Sequence, residues 1–127
     1  MRVAYEICVM KFNLEERLIE FSVGVFTFAQ TLPDNRVNNH LCGQLIRSAS
    51  APSLMYAEAS AAESTADFIH KIGMALKEMR ETNTCLRLLS GSASGADTKV
   101  LELLIEESRQ LTLILAASIN TARKKLK

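Results

Sequence analysis

The sequence predicts an all-α protein, an antiparallel up-down-up-down four-helix bundle. Three observations carry this. Apolar residues recur at spacings of three and four along four long segments, which is the period of one helix face. Only five Gly and two Pro punctuate the 127 residues, too few for the tight turns of a sandwich or barrel. Ala and Leu far outnumber the aromatic residues, which make up 6% and include no Trp, as helix packing favours. The length is that of one domain, and no repeat or shift of composition divides it.

The first helix is expected over about 14–32. Leu14, Leu18, Phe21, Val25, Phe28 and Leu32 mark its face. Asn13 is placed to cap it, Glu15 and Glu16 sit in the first turn where the dipole favours acid, and Pro33 ends it. Residues 1–12 read as a poorly ordered N-terminal extension to a bundle spanning 13–127. They are β-prone and mildly apolar, carry Glu6, and lack the cleavage site of a signal peptide.

The second helix is expected over about 38–60, with Leu41, Leu45, Ala49, Met55 or Tyr56, and Ala59 on its face. Pro52 lies inside it, which predicts a kink. Most residues from Ser48 to Ala66 are Ala, Ser or Thr, small enough for two helices to approach closely. The third helix is expected over about 65–90, capped by Ser64 with Asp67 three positions on. Phe68, Ile72, Ala75, Met79, Leu86 and Leu89 form its stripe. Ser90-Gly91-Ser92-Ala93-Ser94-Gly95 is a loop. Asp97 then caps a fourth helix over about 97–125, with Val100, Leu104, Leu111, Ile114 or Leu115, and Ala122 facing inward.

The second and third helices turn around Ala61 to Ser64, so antiparallel partners carry numbers that sum to about 125. That register places Arg47 opposite Glu78, and Gln44 opposite Glu81 or Arg80. Two further apolar stripes lie off the main faces: Ile19, Val23 and Phe26 on the first helix, and Leu101, Ile105 and Leu113 on the fourth. One stripe per helix suffices for a monomer, and exposed apolar patches mark interfaces, so these residues are the expected contacts of a homo-oligomer.

Fifteen basic and fourteen acidic residues give a net charge of +1, which directs the whole chain to neither nucleic acid nor membrane. No apolar run approaches the ~20 residues that span a bilayer, so no membrane partner is expected. The basic residues do gather at one place. Arg123, Lys124, Lys125 and Lys127 form a candidate nucleic-acid patch, or equally a solvated end that offsets the helix dipole. Cys8, Cys42 and Cys85 are odd in number, widely spaced and without a CxxC, which fits a reducing cytoplasmic setting. Cys42 and Cys85 read as small buried residues.

No chemistry-bearing constellation emerges. A di-metal bundle needs a Glu followed three residues on by His, on two helices, and only Asp67 before His70 has that spacing. His70 is expected to be partly buried or interfacial. No GxSxG and no phosphate-binding loop are present. The reading therefore assigns no catalytic residue, no metal and no cofactor.

The middle of the chain carries an ordered set of short motifs: Gln44-Leu45-Ile46-Arg47-Ser48, Tyr56-Ala57-Glu58-Ala59, Asp67-Phe68-Ile69-His70-Lys71-Ile72, Ala75-Leu76-Lys77-Glu78-Met79-Arg80-Glu81-Thr82 and Leu86-Arg87-Leu88-Leu89. Over roughly Leu14 to Lys124 this string resembles the bacterial four helix bundle protein family, also called intervening-sequence proteins because some are encoded within insertions in ribosomal RNA genes. The resemblance implies a small cytoplasmic bundle that assembles as a homopentamer. It also implies kinship with accessory proteins of diversity-generating retroelements, which bind nucleic acid and a reverse transcriptase. The matched polar positions Gln44, Arg47, Glu58, Asp67, Lys71, Lys77, Glu78 and Glu81 are then a candidate polar network or interface. Asp67–Lys71 and Lys77–Glu81 have the i,i+4 spacing of helix-surface ion pairs. The chain departs from the family pattern at Met55, where Asn is usual, at Cys85, where a large aromatic is usual, and at Pro52.

The expected function is that of a non-enzymatic oligomeric helical bundle acting through protein or nucleic-acid contacts. A nucleic-acid-binding accessory protein with an RNA or reverse-transcriptase partner is one alternative. A small-molecule or metal-binding bundle enzyme is the other.

Overall fold

Asn35, Ser64 and Asp97 each start a helix by accepting a hydrogen bond from the backbone N–H three residues on, at 2.9, 3.0 and 3.1 Å respectively. The computed structural model describes the backbone of residues 2–126 and the side chains of residues 14–126. Its four helices are α1 (Arg2–Thr31), α2 (Arg36–Ser60), α3 (Thr65–Gly91) and α4 (Thr98–Lys124). α2 begins earlier than expected because Asn35, read only as part of the turn after Pro33, is its cap. α1 begins well before Leu14. The extension expected over residues 1–12, and Asn13 as a cap, lie outside the residues whose side chains are described.

The helices close into a ring in which α1 packs on α2, α2 on α3, α3 on α4 and α4 on α1. Among the described residues the α2–α3 junction is the most extensive and α1–α4 the slightest. Leu18, Val25, Leu45, Ile72, Met79, Leu86, Leu89, Leu111 and Leu115 fill the core. Every stripe read from the sequence points inward at its main positions, with one phase error. Val100 is exposed, and Leu101, expected on the outer stripe, lies in the core at 4% exposure.

A polar layer crosses the middle of the bundle. Thr82 Oγ1 lies 3.0 Å from Ser48 Oγ, joining α3 to α2. Asn83 Nδ2 donates to Ser108 Oγ at 2.9 Å, joining α3 to α4. Pro52 sits buried inside α2, and the helix continues past it. The proline ring deprives the Ser48 carbonyl of its usual donor and loosens the local ladder. Ser22 Oγ of α1 enters at that turn and donates to the Ala49 carbonyl at 2.6 Å. Among the described residues every buried side-chain N or O atom has a partner.

One end of the bundle is locked by its two loops. Asn38 Nδ2 donates to the carbonyls of Pro33 at 3.0 Å and Ser94 at 2.8 Å, tying the α1–α2 turn to the α3–α4 loop. Gly95 completes the lock at φ +77°, where a Cβ would stand 2.9 Å from Pro33 Cγ. The proline ring cannot swing aside as a flexible side chain would. Gly95→Ala is therefore expected to lower stability by about 1–3 kcal/mol in urea unfolding, from left-handed strain together with the clash. An unchanged midpoint would show that this loop shifts freely.

Candidate functional site

The charged residues singled out in the sequence come together on the α2–α3 face. Both helices present long polar side chains outward there, because Leu45, Ala49, Ile72, Ala75 and Met79 take the inner positions. Arg47 Nη1 donates to Glu78 Oε1 at 3.0 Å, the contact that the helical register requires. Its Nη2 donates to Gln44 Oε1 at 3.2 Å and also pairs with Glu81. One guanidinium thus gathers two carboxylates and an amide. The Glu78 hydrogen bond, followed by the charge of Glu81, holds the Arg47 guanidinium above its ordinary value.

One turn-set further toward the α2–α3 connection, Lys71 Nζ donates to Glu58 Oε1 at 2.7 Å. That hydrogen bond raises the Lys71 ammonium, with a smaller contribution from the charge of Asp67. The two intrahelical pairs expected from spacing are replaced. Among the described residues neither Asp67–Lys71 nor Lys77–Glu81 closes as a salt bridge, because Lys71 reaches across to Glu58 and Glu81 is held by Arg47. A cross-helix partner brings the two helices together as well as neutralising charge, and the short side chains at the α2–α3 seam place it within reach.

Sequence reasoning missed the most buried ion pair among the described residues. Arg17 of α1 grips Glu107 of α4 with both arms, Nε to Oε2 at 2.7 Å and Nη2 to Oε1 at 2.8 Å. Nη2 adds a bond to Gln110 Oε1 at 3.0 Å. The Glu107 hydrogen bonds raise the Arg17 guanidinium against the opposing effect of burial. A bidentate fork of this kind is stronger and more directional than a single contact, and it staples α1 to α4. The α1–α4 register, which would have revealed it, depends on two loops and a whole hairpin between the partners. On the outer face of α4, Arg109 and Glu106 make a second fork within one turn. Hydrogen bonds from Arg109 and then Gln110 hold the Glu106 carboxyl down to about 2.

The expected oligomer contacts separate into two groups. Ile19, Val23 and Leu113 are exposed, Val23 at 53% and Leu113 at 57%. Phe26 is half-buried, Ile105 packs partly against the core, and Leu101 is inside it. Leu101 is thus unavailable to a second chain in this fold. The helix register adds neighbours that the sequence reading left out. Ser22 meets Ala49, and Cys42 Sγ contacts the Ala29 carbonyl at 3.7 Å. The same register sets Phe26 beside Ile46, which is exposed, and Ile19 lies two turns from Phe26 on the same face of α1. An apolar band therefore runs along the outer α1–α2 groove.

Arg123, Lys124 and Lys125 are exposed at the last turn of α4. None of them takes part in a salt bridge among the described residues; Lys127 lies outside those residues. His70 is exposed on α3 rather than partly buried. Cys85 is buried and Cys42 half-buried, and burial pushes both thiols up, which keeps them protonated and unreactive. Among the described residues no three His, Cys, Asp or Glu side chains converge as a metal site, and no helix is long and apolar enough to cross a membrane.

A family described as 23S rRNA-intervening sequence protein matches residues 11–117. A crystal structure of a protein with unknown function from the S23 ribosomal protein family of Bacteroides thetaiotaomicron VPI-5482 superposes with a TM-score of 0.72 at 28% identity, covering 83% of this chain and 96% of that one. No curated protein matches the chain.

Proposed function

We propose, since the chain belongs to the 23S rRNA-intervening sequence protein family, that it works as a cytoplasmic homo-oligomer, a pentamer, through contacts with protein or nucleic acid and without catalysing a reaction. The apolar band of Ile19, Val23, Phe26 and Ile46 carries this reading. A monomeric bundle of this size has no use for large aliphatic side chains along the outside of a helix pair, where they are solvated at a free-energy cost. Against a second copy the same side chains are removed from water. The Arg47 network serves to fix the α2–α3 register that shapes this surface.

Mass photometry at low micromolar concentration tests the assembly. The expected mass is near five times 14.0 kDa. Val23→Glu is expected to yield smaller species with unchanged helix content, because Val23 touches no core residue's place. A monomeric wild-type chain would overturn the reading.

The basic end of α4 favours nucleic acid as the partner. Arg123 and Lys124 lie exposed in the last turn with Lys125 capping it, and five copies around a ring would present them as one multivalent surface. RNA binding titrated against salt is expected to weaken steeply. Joint replacement of Arg123, Lys124 and Lys125 by Ala is expected to flatten that slope. Binding that ignores salt, or none at low salt, removes nucleic acid as the partner.

A further inference from the structure

Helices α1 and α3 stand diagonally across the ring, each packed on α2 and α4 and, among the described residues, not on each other. Their outer faces therefore point away from the bundle in opposite directions. These two faces carry charge of opposite sign. From Leu14 to Thr31 the acids of α1 are Glu15, Glu16 and Glu20, and its one base is Arg17. Arg17 is turned to Glu107 of its own chain, so α1 shows solvent Glu16 and Glu20 beside the exposed Ile19 and Val23. On α3 the exposed side chains from Met74 to Leu88 are Met74, Lys77, Arg80, Thr84, Arg87 and Leu88. No acid is among them, because Glu78 and Glu81 are drawn aside by Arg47. Lys77, Arg80 and Arg87 take part in no salt bridge among the described residues. The outer face of α4 differs, for there Arg109 is paired with Glu106 of the same helix.

Each sign repels itself along its own helix. Glu16 and Glu20 stand at i,i+4, and Lys77 and Arg80 at i,i+3, spacings at which like charges cost stability. Within one chain the diagonal keeps the two sets apart. A two-fold pair would set one face against its own copy, acid to acid or base to base. A head-to-tail contact sets acid against base, and repeated by rotation it closes as a ring.

We infer that the α1 face of one copy docks on the α3 face of the next, with Glu16 and Glu20 against Lys77 and Arg80. The inference rests on the homo-oligomeric reading above and names the second surface which that assembly uses. In a ring of upright bundles, rotation moves each copy without lifting it, so residues at equal height meet. The Ser22–Ala49 and Arg47–Glu78 contacts bring Glu20 level with about residue 74 of α3, and the route through Arg17–Glu107 and Asn83–Ser108 brings it level with about residue 87, at equal rise per residue. Lys77 and Arg80 lie inside that interval, Arg80 near its middle. The same steps set Val23 level with about residues 77 to 90, an interval that holds Leu88. Both are exposed aliphatic side chains, and the contact takes both out of water.

Sedimentation velocity of full-length charge-reversal variants tests this, with circular dichroism to confirm unchanged helix content. Glu16→Lys with Glu20→Lys reverses the α1 face, and Lys77→Glu with Arg80→Glu reverses the α3 face. Each two-site variant alone is expected to sediment as smaller species than wild type, because like charges then meet. Mixed in equal amounts, the two are expected to associate, since each offers the charge that the other lacks. A chain carrying all four substitutions again opposes acid to base and is expected to regain the wild-type mass. Wild-type mass in either two-site variant, or a four-site chain that stays small, overturns the inference and leaves the homo-oligomer standing. Loss of RNA binding by the α3 variant at wild-type mass does the same, and assigns that face to nucleic acid. A monomeric wild-type chain overturns the homo-oligomeric reading itself, and this inference with it.

Discussion

Asn38→Ala is expected to lower the stability of the fold by about 2–4 kcal/mol, the largest loss from any single polar side chain in the molecule. Asn38 is 1% exposed and its amide has two hydrogens, one for each of two loops. Truncation leaves the Pro33 and Ser94 carbonyls facing a small cavity too narrow for water to serve both. Each buried acceptor without a donor costs about 1–3 kcal/mol, and the lost bonds closed two connections at once. In thermal unfolding the change corresponds to a drop of roughly 10 °C for a chain of this length. Asn39→Ala is the matched control, since Asn39 donates to Asp34 Oδ1 at 2.7 Å on an exposed surface. Its expected effect is within about 0.5 kcal/mol. Equal losses from the two would show that the loops are held by something other than this amide.

Asn38 also shows what the sequence conceals. Two neighbouring asparagines near a helix start are indistinguishable by propensity. Only the approach of Ser94, more than fifty positions away, separates them. Features set within one helix or across one short loop were legible. The caps Ser64 and Asp97 follow from local hydrogen bonding. The Arg47–Glu78 contact follows from a tight α2–α3 turn, because a short connection fixes the register of the two helices it joins. Registers set by longer paths were illegible, and the Arg17–Glu107 fork is the clearest case. The Glu58–Lys71 pair is intermediate. Its helices were known to be neighbours, yet Asp67 at i,i+4 spacing offered Lys71 a closer partner in sequence. The longer reach of Glu58 across a seam of small residues prevailed. For the candidate site, the sequence supplied the members of the α2–α3 network but paired some of them wrongly.

Leu101→Ala is expected to cost about 2–4 kcal/mol, the penalty for a cavity in a packed core, while leaving the mass read by mass photometry unchanged. Leu103→Ala, two residues on, is expected to stay within about 0.5 kcal/mol, because Leu103 is 71% exposed. The two leucines are alike in chemistry and differ in the side of α4 they occupy. The inward stripe of α4 runs through Leu101, Leu104, Ser108, Leu111, Leu115, Ile119 and Ala122, at helical spacing throughout. Ser108 interrupts its apolar character, and Val100 offers a competing start, so a pattern counted by hydrophobicity slips by one residue at the N-terminal end. The serine is admissible in the core because its hydroxyl donates to the Ile105 carbonyl at 2.7 Å and accepts from Asn83. A satisfied hydroxyl thus occupies a core position while reading as surface, and it carries Leu101 with it to the wrong face. Urea unfolding of the two variants decides the phase. A larger loss at Leu103 than at Leu101 would mean that α4 is rotated on its neighbours, and would move the exposed stripe of α4 with it.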